Sequence, residues 1–289
     1  MDIRMFDVSY TSVGKVALKL ACFSDLHMEA FGDNSEAKHD LDEAASEGRR
    51  LSFNGDNMDM IYDKDPRYNR ARDKGDYDAK LNKDTEFLYE FLKPYVDSID
   101  VIGTGNHEGS VFRHYHYDIN RGVIALLNMV RDKKLCPVYQ GEYRGLQYYR
   151  LTNAKGGSGR PFVLMRHHLR GGSAPVTKGM IDIARLSDGW DAHFYWGGHK
   201  HSSITDNGRM RYGVTGKGHM WQRTIKAFIT PGYQESVKDT TTDIDSNGVS
   251  VPYEETFYTG TPKGYGIIDV IPMHSDAKEM VKIRCEVRT

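Results

Sequence analysis

VIGTGNHEG, residues 101–109, passes from two β-branched residues through a glycine-rich stretch into an asparagine, a histidine and a glutamate, and closes on another glycine. Val101 and Ile102 finish the short run IDVI (99–102), whose composition suits a buried strand. A strand that gives way to adjacent polar side chains on a cramped turn matches how α/β folds place their sites, at the carboxyl ends of strands.

Four other segments repeat this form. ACFSDLH (21–27) ends in Asp25 and His27, LSFNGDNMD (51–59) carries Asp56 and Asp59, FVLMRHH (162–168) ends in His167 and His168, and HFYWGGHKH (193–201) ends in His199 and His201. Alternate residues of an extended segment point the same way, so Asp25 with His27, or His199 with His201, can present like-facing pairs. Each cluster alone is commonplace, because a single histidine at a strand end usually serves packing. Five in order, each after an apolar run, point to one shared site.

Around them the chain reads as alternating strands and helices. Strand-like runs fall at Val16–Phe23, Leu51–Asn54, Ile99–Gly103, Val138–Tyr139, Gln147–Leu151, Phe162–Arg166, Ala192–Trp196, Ile225–Ile229, Gly266–Ile271 and Val281–Val287. Helical spacing of apolar residues predicts amphipathic helices over Asp78–Val96 and Asp118–Lys133. The 289 residues suffice for one large α/β domain spanning 1–289. Within it, a segment charged with both signs near 62–78 reads as a solvated insertion, and a Thr-, Asp- and Ser-rich stretch near 237–252 reads as a mobile polar loop.

Composition sets limits on function. Lys+Arg number 39 against Asp+Glu 40, a formal net charge of -1, so no global attraction to nucleic acid or anionic membrane is expected. The three cysteines, Cys22, Cys136 and Cys285, form no C-x-x-C pair, which argues against a disulfide framework or a zinc ribbon. No apolar run approaches the roughly 18 residues of a spanning helix. The expected setting is cytoplasmic, with no membrane partner.

The ordered motifs D-x-H, G-D-x-x-D, G-N-H-E, H and G-H-x-H, from Asp25 to His201, closely resemble the calcineurin-like metallophosphoesterase superfamily. The tail with YGIIDV (265–270) is similar to that of phage- or mobile-element-type members. The resemblance implies an α/β fold, a four-layer α/β/β/α sandwich of two mixed β-sheets flanked by helices. It also implies a site for two divalent metal ions. Asp25, His27 and His201 would hold one, Asn106, His167 and His199 the other, and Asp56 would bridge them. His167 is preferred over His168 because the family's ligand normally comes first after the apolar strand. His107 would serve the leaving oxygen, oriented by Asp59, while Glu108 braces its own loop.

An oxygen and imidazole ligand set without thiolate suits Mn²⁺, Fe, Zn²⁺ or Ni²⁺, with Mn²⁺ favoured. Two such ions suit hydrolysis of a phosphoester by in-line attack of a metal-bridging hydroxide. Here Met60 and Ile61 follow Asp59, and Met28 follows His27, so the G-D-x-x-D-R-G form of protein phosphatases is absent. Arg113, Arg166, Arg170 and Lys200 are the expected substrate contacts. Arg113 lies in SVFRHYHYD (110–118), read as a strand or loop whose tyrosines stack a base or simply pack. The glycines of RGGSAPVTKG (170–179) would let that segment close over substrate, and Lys217, His219 and Trp221 are further nucleotide contacts or packing residues. The leading expectation is a phosphodiesterase acting on nucleic acid or nucleotides. The alternatives are a phosphomonoesterase for small molecules and a catalytically inactive binding or scaffold module.

Overall fold

Leu20 and Cys22 face one way from their strand, and Ala21 and Phe23 the other, yet all four are fully buried. A strand apolar on both faces must be covered on both, and that requirement sets the layer order of the protein. The computed structural model describes residues 2–28, 33–64, 77–156, 159–169, 180–214, 218, 220–233, 263–274 and 280–289.

One sheet is built from β2 (Leu18–Phe23), β3 (Arg50–Phe53), β4 (Ile99–Ile102), β5 (Tyr139–Gln140), β11 (Tyr265–Pro272) and β12 (Val281–Arg288), in the order β12-β11-β2-β3-β4-β5. β2 to β5 are parallel, and β11 joins β2 antiparallel. The second sheet contains β1 (Asp2–Tyr10), β6 (Arg144–Asn153), β7 (Arg160–His168), β8 (Phe194–Gly198), β9 (Ile204–Val214) and β10 (Met220–Ile229), ordered β1-β6-β7-β8-β10-β9. Both sheets are mixed.

Between the sheets lies a core drawn from each, including Leu20, Cys22 and Ile268 on one side and Tyr149, Phe162, Leu164, Trp196 and Phe228 on the other. Outside the first sheet, α1 (Ser35–Ser46), α2 (Tyr77–Leu92), α3 (Asn106–Tyr115) and α4 (Ile119–Val130) bury Leu41, Leu88, Val111, Val123 and Leu127 against Phe23, Phe53 and Ile102. Outside the second, α5 (Met180–Gly189) places Ile183 with Met165 and Tyr195. The result is the expected four-layer α/β/β/α arrangement.

Several local expectations change. Residues 110–115 of SVFRHYHYD are helical, closing α3, and His116 ends the helix in the left-handed region at φ 55. The tyrosines there are committed to packing: the Tyr115 hydroxyl donates to Asp63, and Tyr117 Oη pairs with Thr85 Oγ1 at 2.9 Å. The helix expected over Asp78–Val96 is α2 followed by a 3₁₀ turn, Lys93–Ser98, that begins just before Pro94. β1 and β9 are additional edge strands, and α1 and α5 additional helices. Of the charged segment near 62–78, Tyr62 is buried and donates to Asp84, while residues 65–76 lie outside the described residues, as does the polar stretch near 237–252.

No helix among the described residues is long and apolar enough to cross a membrane.

Candidate metal centre

Because β2, β3 and β4 are parallel, their carboxyl ends lie along one edge of the first sheet, and β7 and β8 are likewise parallel in the second. Asp25 and His27 follow β2, Asp56 and Asp59 follow β3, Asn106 opens α3 after β4, His168 ends β7, and His199 and His201 follow β8. Ligand atoms of Asp25, Asp56, His168 and His199 lie within 4.8 Å of one another, as do those of Asp25, His27 and His201, and those of His27, Asp59 and His107. Asp25 is the carboxylate common to the first two groups, a position expected for Asp56.

The two buried aspartates are used alike. Asp25 Oδ2 accepts from His199 N–H at 2.7 Å and from the Ser24 hydroxyl, whereas Oδ1 has no hydrogen bond and lies 3.5 Å from His201 Nε2. Asp56 Oδ1 accepts from His107 N–H at 2.8 Å, whereas Oδ2 has no hydrogen bond and lies 3.2 Å from His168 Nε2 and 3.6 Å from His199 Nδ1. One oxygen of each is pinned by protein donors, and the other is turned onto imidazole nitrogens.

His168 shows what this arrangement needs. Its Nδ1 lies 3.1 Å from the Asn54 carbonyl, an acceptor only, so Nδ1 carries the proton. Nε2 then directs a lone pair at Asp56 Oδ2 and, at 3.1 Å, at Asn106 Oδ1. Electron pairs converging on one point call for a proton or a cation between them. Without a cation the imidazole takes the proton: burial disfavours its charge, but the Asp56 carboxylate dominates and pushes it up to about 9. His27 Nε2 and His201 Nε2, 3.3 Å apart, face each other similarly. This donor set, with an outer N–H anchored on a backbone carbonyl, fits divalent metal ions.

Electrostatics agree. Burial would raise both aspartates, yet His201 and His168 hold Asp25 below the ordinary carboxylate range, and His168 and His199 hold Asp56 well below it. Burial also opposes ionisation of Asp59, which His107 and His27 nonetheless hold low.

The backbone is bent to the same end. Asp25, His27, Asp56, His199 and His201 adopt left-handed φ of 55, 46, 50, 72 and 43°, and the remaining described non-glycine residue of this kind is His116. Each such residue costs on the order of 1 kcal/mol, and Asp and His tolerate the region better than most residues. Gly105 has an ordinary φ of -106, so its role is not the sharp turn its sequence suggests. A Cβ there would meet Asp56 Oδ1 at 2.2 Å and Asp56 N at 2.4 Å, so glycine is what lets α3 reach Asp56.

Glu108, buried, accepts from the backbone N–H groups of Asp56 (3.0 Å), Asn57 (2.7 Å) and Gly105 (2.8 Å). It braces the segment after β3 as well as its own. Burial and the Asp56 charge raise its carboxyl above the usual range. Asp59 Oδ1 lies 3.1 Å from His107 Nδ1, the pairing expected of them, and 3.7 Å from His27 Nδ1.

Two expected residues are placed elsewhere. The β7 pleat turns Phe162, Leu164, Arg166 and His168 toward the other sheet, so His168 rather than His167 reaches Asp56. Arg166 is 1% exposed and cannot meet substrate; its Nη1 donates to the Glu142 carbonyl (2.7 Å) and to Asn54 Oδ1 (3.3 Å). Arg113 is exposed on α3, and Lys200 is half-buried between His199 and His201. Arg170, Lys217 and His219 lie outside the described residues, and Trp221 is half-buried on β10.

No family model and no curated protein matches the chain. Among solved structures, it is similar to a conserved uncharacterized protein, a predicted phosphoesterase, from Streptococcus pneumoniae TIGR4, with 10% identity, 94% of this chain and 98% of that chain covered, and a TM-score of 0.34. It is also similar to a metallophosphoesterase from Sphaerobacter thermophilus, with 10% identity, coverage of 94% and 89%, and a TM-score of 0.34. Likeness this distant transfers neither chemistry nor residue roles, which rest on the geometry above.

Proposed function

We propose that the protein is a metal-dependent phosphoesterase of the calcineurin-like type. The observation that supports this most is the matched treatment of Asp25 and Asp56, each with one oxygen pinned and the other facing imidazoles. Asp25, His27 and His201 would hold one divalent ion; Asp56, Asn106, His168 and His199 would hold a second. Bound there, two such ions supply an activated water and charge stabilisation for a phosphoryl group.

The chain's own residues would do the rest. Glu108 and Gly105 keep the Asp56 and Asn106 loops in contact. The Asp59 carboxylate, 3.1 Å from His107 Nδ1, would hold the ring by its charge and leave Nε2 to serve the departing ester oxygen. Of the four expected substrate contacts, Lys200 and Arg113 are the described ones not enclosed. With Arg166 enclosed and Tyr115 and Tyr117 packed, the support for a nucleic acid or nucleotide substrate narrows to these two, to the half-buried Trp221 and to the residues outside the described set.

Hydrolysis of bis-p-nitrophenyl phosphate and p-nitrophenyl phosphate after loading with Mn²⁺, Fe²⁺, Zn²⁺ or Ni²⁺ tests the reading. We expect metal-dependent turnover with the diester preferred. Preference for the monoester would replace the diesterase assignment with a phosphatase one.

A further inference from the structure

Gly109, the last residue of VIGTGNHEG, has no part in the chemistry above, yet it lies inside α3, where glycine costs up to about 1 kcal/mol relative to alanine. What occupies the space beside it is the side chain of Tyr143. A Cβ on Gly109 would come to 1.9 Å from Tyr143 Oη and 3.0 Å from its Cζ.

Tyr143 also holds His168 in two ways. Its carbonyl accepts the His168 backbone N–H at 2.7 Å, and its ring meets the His168 ring edge-on, with centroids 6.1 Å apart and planes at 69°. The His199 ring approaches His168 to 4.8 Å. The imidazole is thereby confined by Tyr143 and His199, with Nδ1 on Asn54. Tyr143 therefore spans from the end of β7 to the first turn of α3, the two segments whose His168 and Asn106 side chains meet at 3.1 Å.

We infer that Tyr143, admitted by Gly109, is a positioning residue that sets the His168–Asn106 pair for the second metal ion. This rests on the dinuclear-metal reading above and adds to it a residue outside the ligand set. Neither the motif order nor the spacing points to Tyr143, because it lies in the β5–β6 connection, away from every ligand segment.

Outer-shell partners of metal ligands typically contribute 10–100-fold to affinity. The test is Co²⁺ titration of the full chain, followed by visible absorption, with far-UV circular dichroism confirming folding. In the wild type two equivalents bind. Tyr143→Ala should weaken one of them by about 10–100-fold and leave the other unchanged, whereas Tyr143→Phe, which keeps the ring against His168, should stay close to wild type. Gly109→Ala should weaken the same equivalent, and its effect should shrink in the Tyr143→Phe background, where the clashing hydroxyl is gone. Unchanged binding in Tyr143→Ala, or an equal Gly109→Ala effect in both backgrounds, would overturn the inference alone. A wild-type chain that takes up no Co²⁺ would overturn the metal reading and this inference together.

Discussion

Asn106 Oδ1 and His168 Nε2 meet at 3.1 Å, and the contact joins the two sheets: Asn106 follows β4 of one, and His168 ends β7 of the other. In neutral His168, with its proton on Nδ1, neither atom donates to the other, an arrangement that suits the cation proposed there. His168→Ala should therefore lose one of two bound divalent ions and lower metal-dependent hydrolysis by at least about 100-fold, judging from the contribution of a single well-placed electrostatic group. His167→Ala should retain both ions. Metal content by plasma mass spectrometry, with rates on the same samples, decides between adjacent residues; loss of metal only in the His167 variant would reverse the assignment.

The difficulty of that choice from sequence has a physical source. In FVLMRHH every residue up to Met165 is apolar, because β7 is covered by the other sheet on one face and by the α5 side on the other, so no alternation reveals which parity points inward. The ordered polar motifs are legible because each follows an apolar strand. α3 is not, because NHEGSVFRHY mixes site residues, a glycine and exposed residues within one helix. In sequence Arg166 adjoins a histidine pair, which suggests a substrate contact, but it shares the inward parity of His168 and is enclosed. β9, ITDNGRMRYGV, lacks an apolar run altogether and forms by pairing along β10.

Gly105→Ala places a methyl group against a carboxylate oxygen of Asp56 that accepts from the His107 N–H and a backbone nitrogen of Asp56 that donates to Glu108. Overpacking of this kind costs about 1–3 kcal/mol. The expected outcome is a folded protein with a lowered melting temperature and weakened binding of both ions, measured by thermal unfolding with and without Mn²⁺. A variant that binds metal like the wild type would show that the contact between α3 and Asp56 is dispensable.

Asp59→Asn keeps the shape of the side chain but removes the charge that fixes His107. Turnover should fall by about 100-fold, the lower end for general acid–base groups, with both metal ions retained. His107→Gln should behave alike, and the double variant should be little worse than either single one, because the two residues act as a unit. Rates multiplying independently in the double variant would contradict the pairing.

His193 provides a pH test away from the metal centre. Its Nδ1 accepts the Val163 backbone N–H at 3.1 Å, so the buried ring must stay neutral. Burial, reinforced by the Arg223 charge and opposed by Asp191, lowers it from 6.5 to about 4. The unfolded chain then binds the proton more readily than the folded one, so this contribution is present above pH 6.5 and is lost as pH falls toward 4. The loss amounts to on the order of 3 kcal/mol. His193→Asn, which keeps an acceptor without titrating, should flatten the decline in urea-unfolding stability between pH 6.5 and 4.5; an unchanged decline would place the acid sensitivity elsewhere.

In the proposed centre Asp25 and Asp56 each leave one oxygen for metal. Equilibrium dialysis of the wild type and of Asp56→Asn against Mn²⁺, with bis-p-nitrophenyl phosphate hydrolysis on the same samples, tests it most directly. Two ions and metal-dependent turnover are expected in the wild type, with fewer ions and turnover abolished in Asp56→Asn while the fold persists. A wild-type protein that binds no divalent ion, or an Asp56→Asn variant that keeps both ions and full activity, would contradict it.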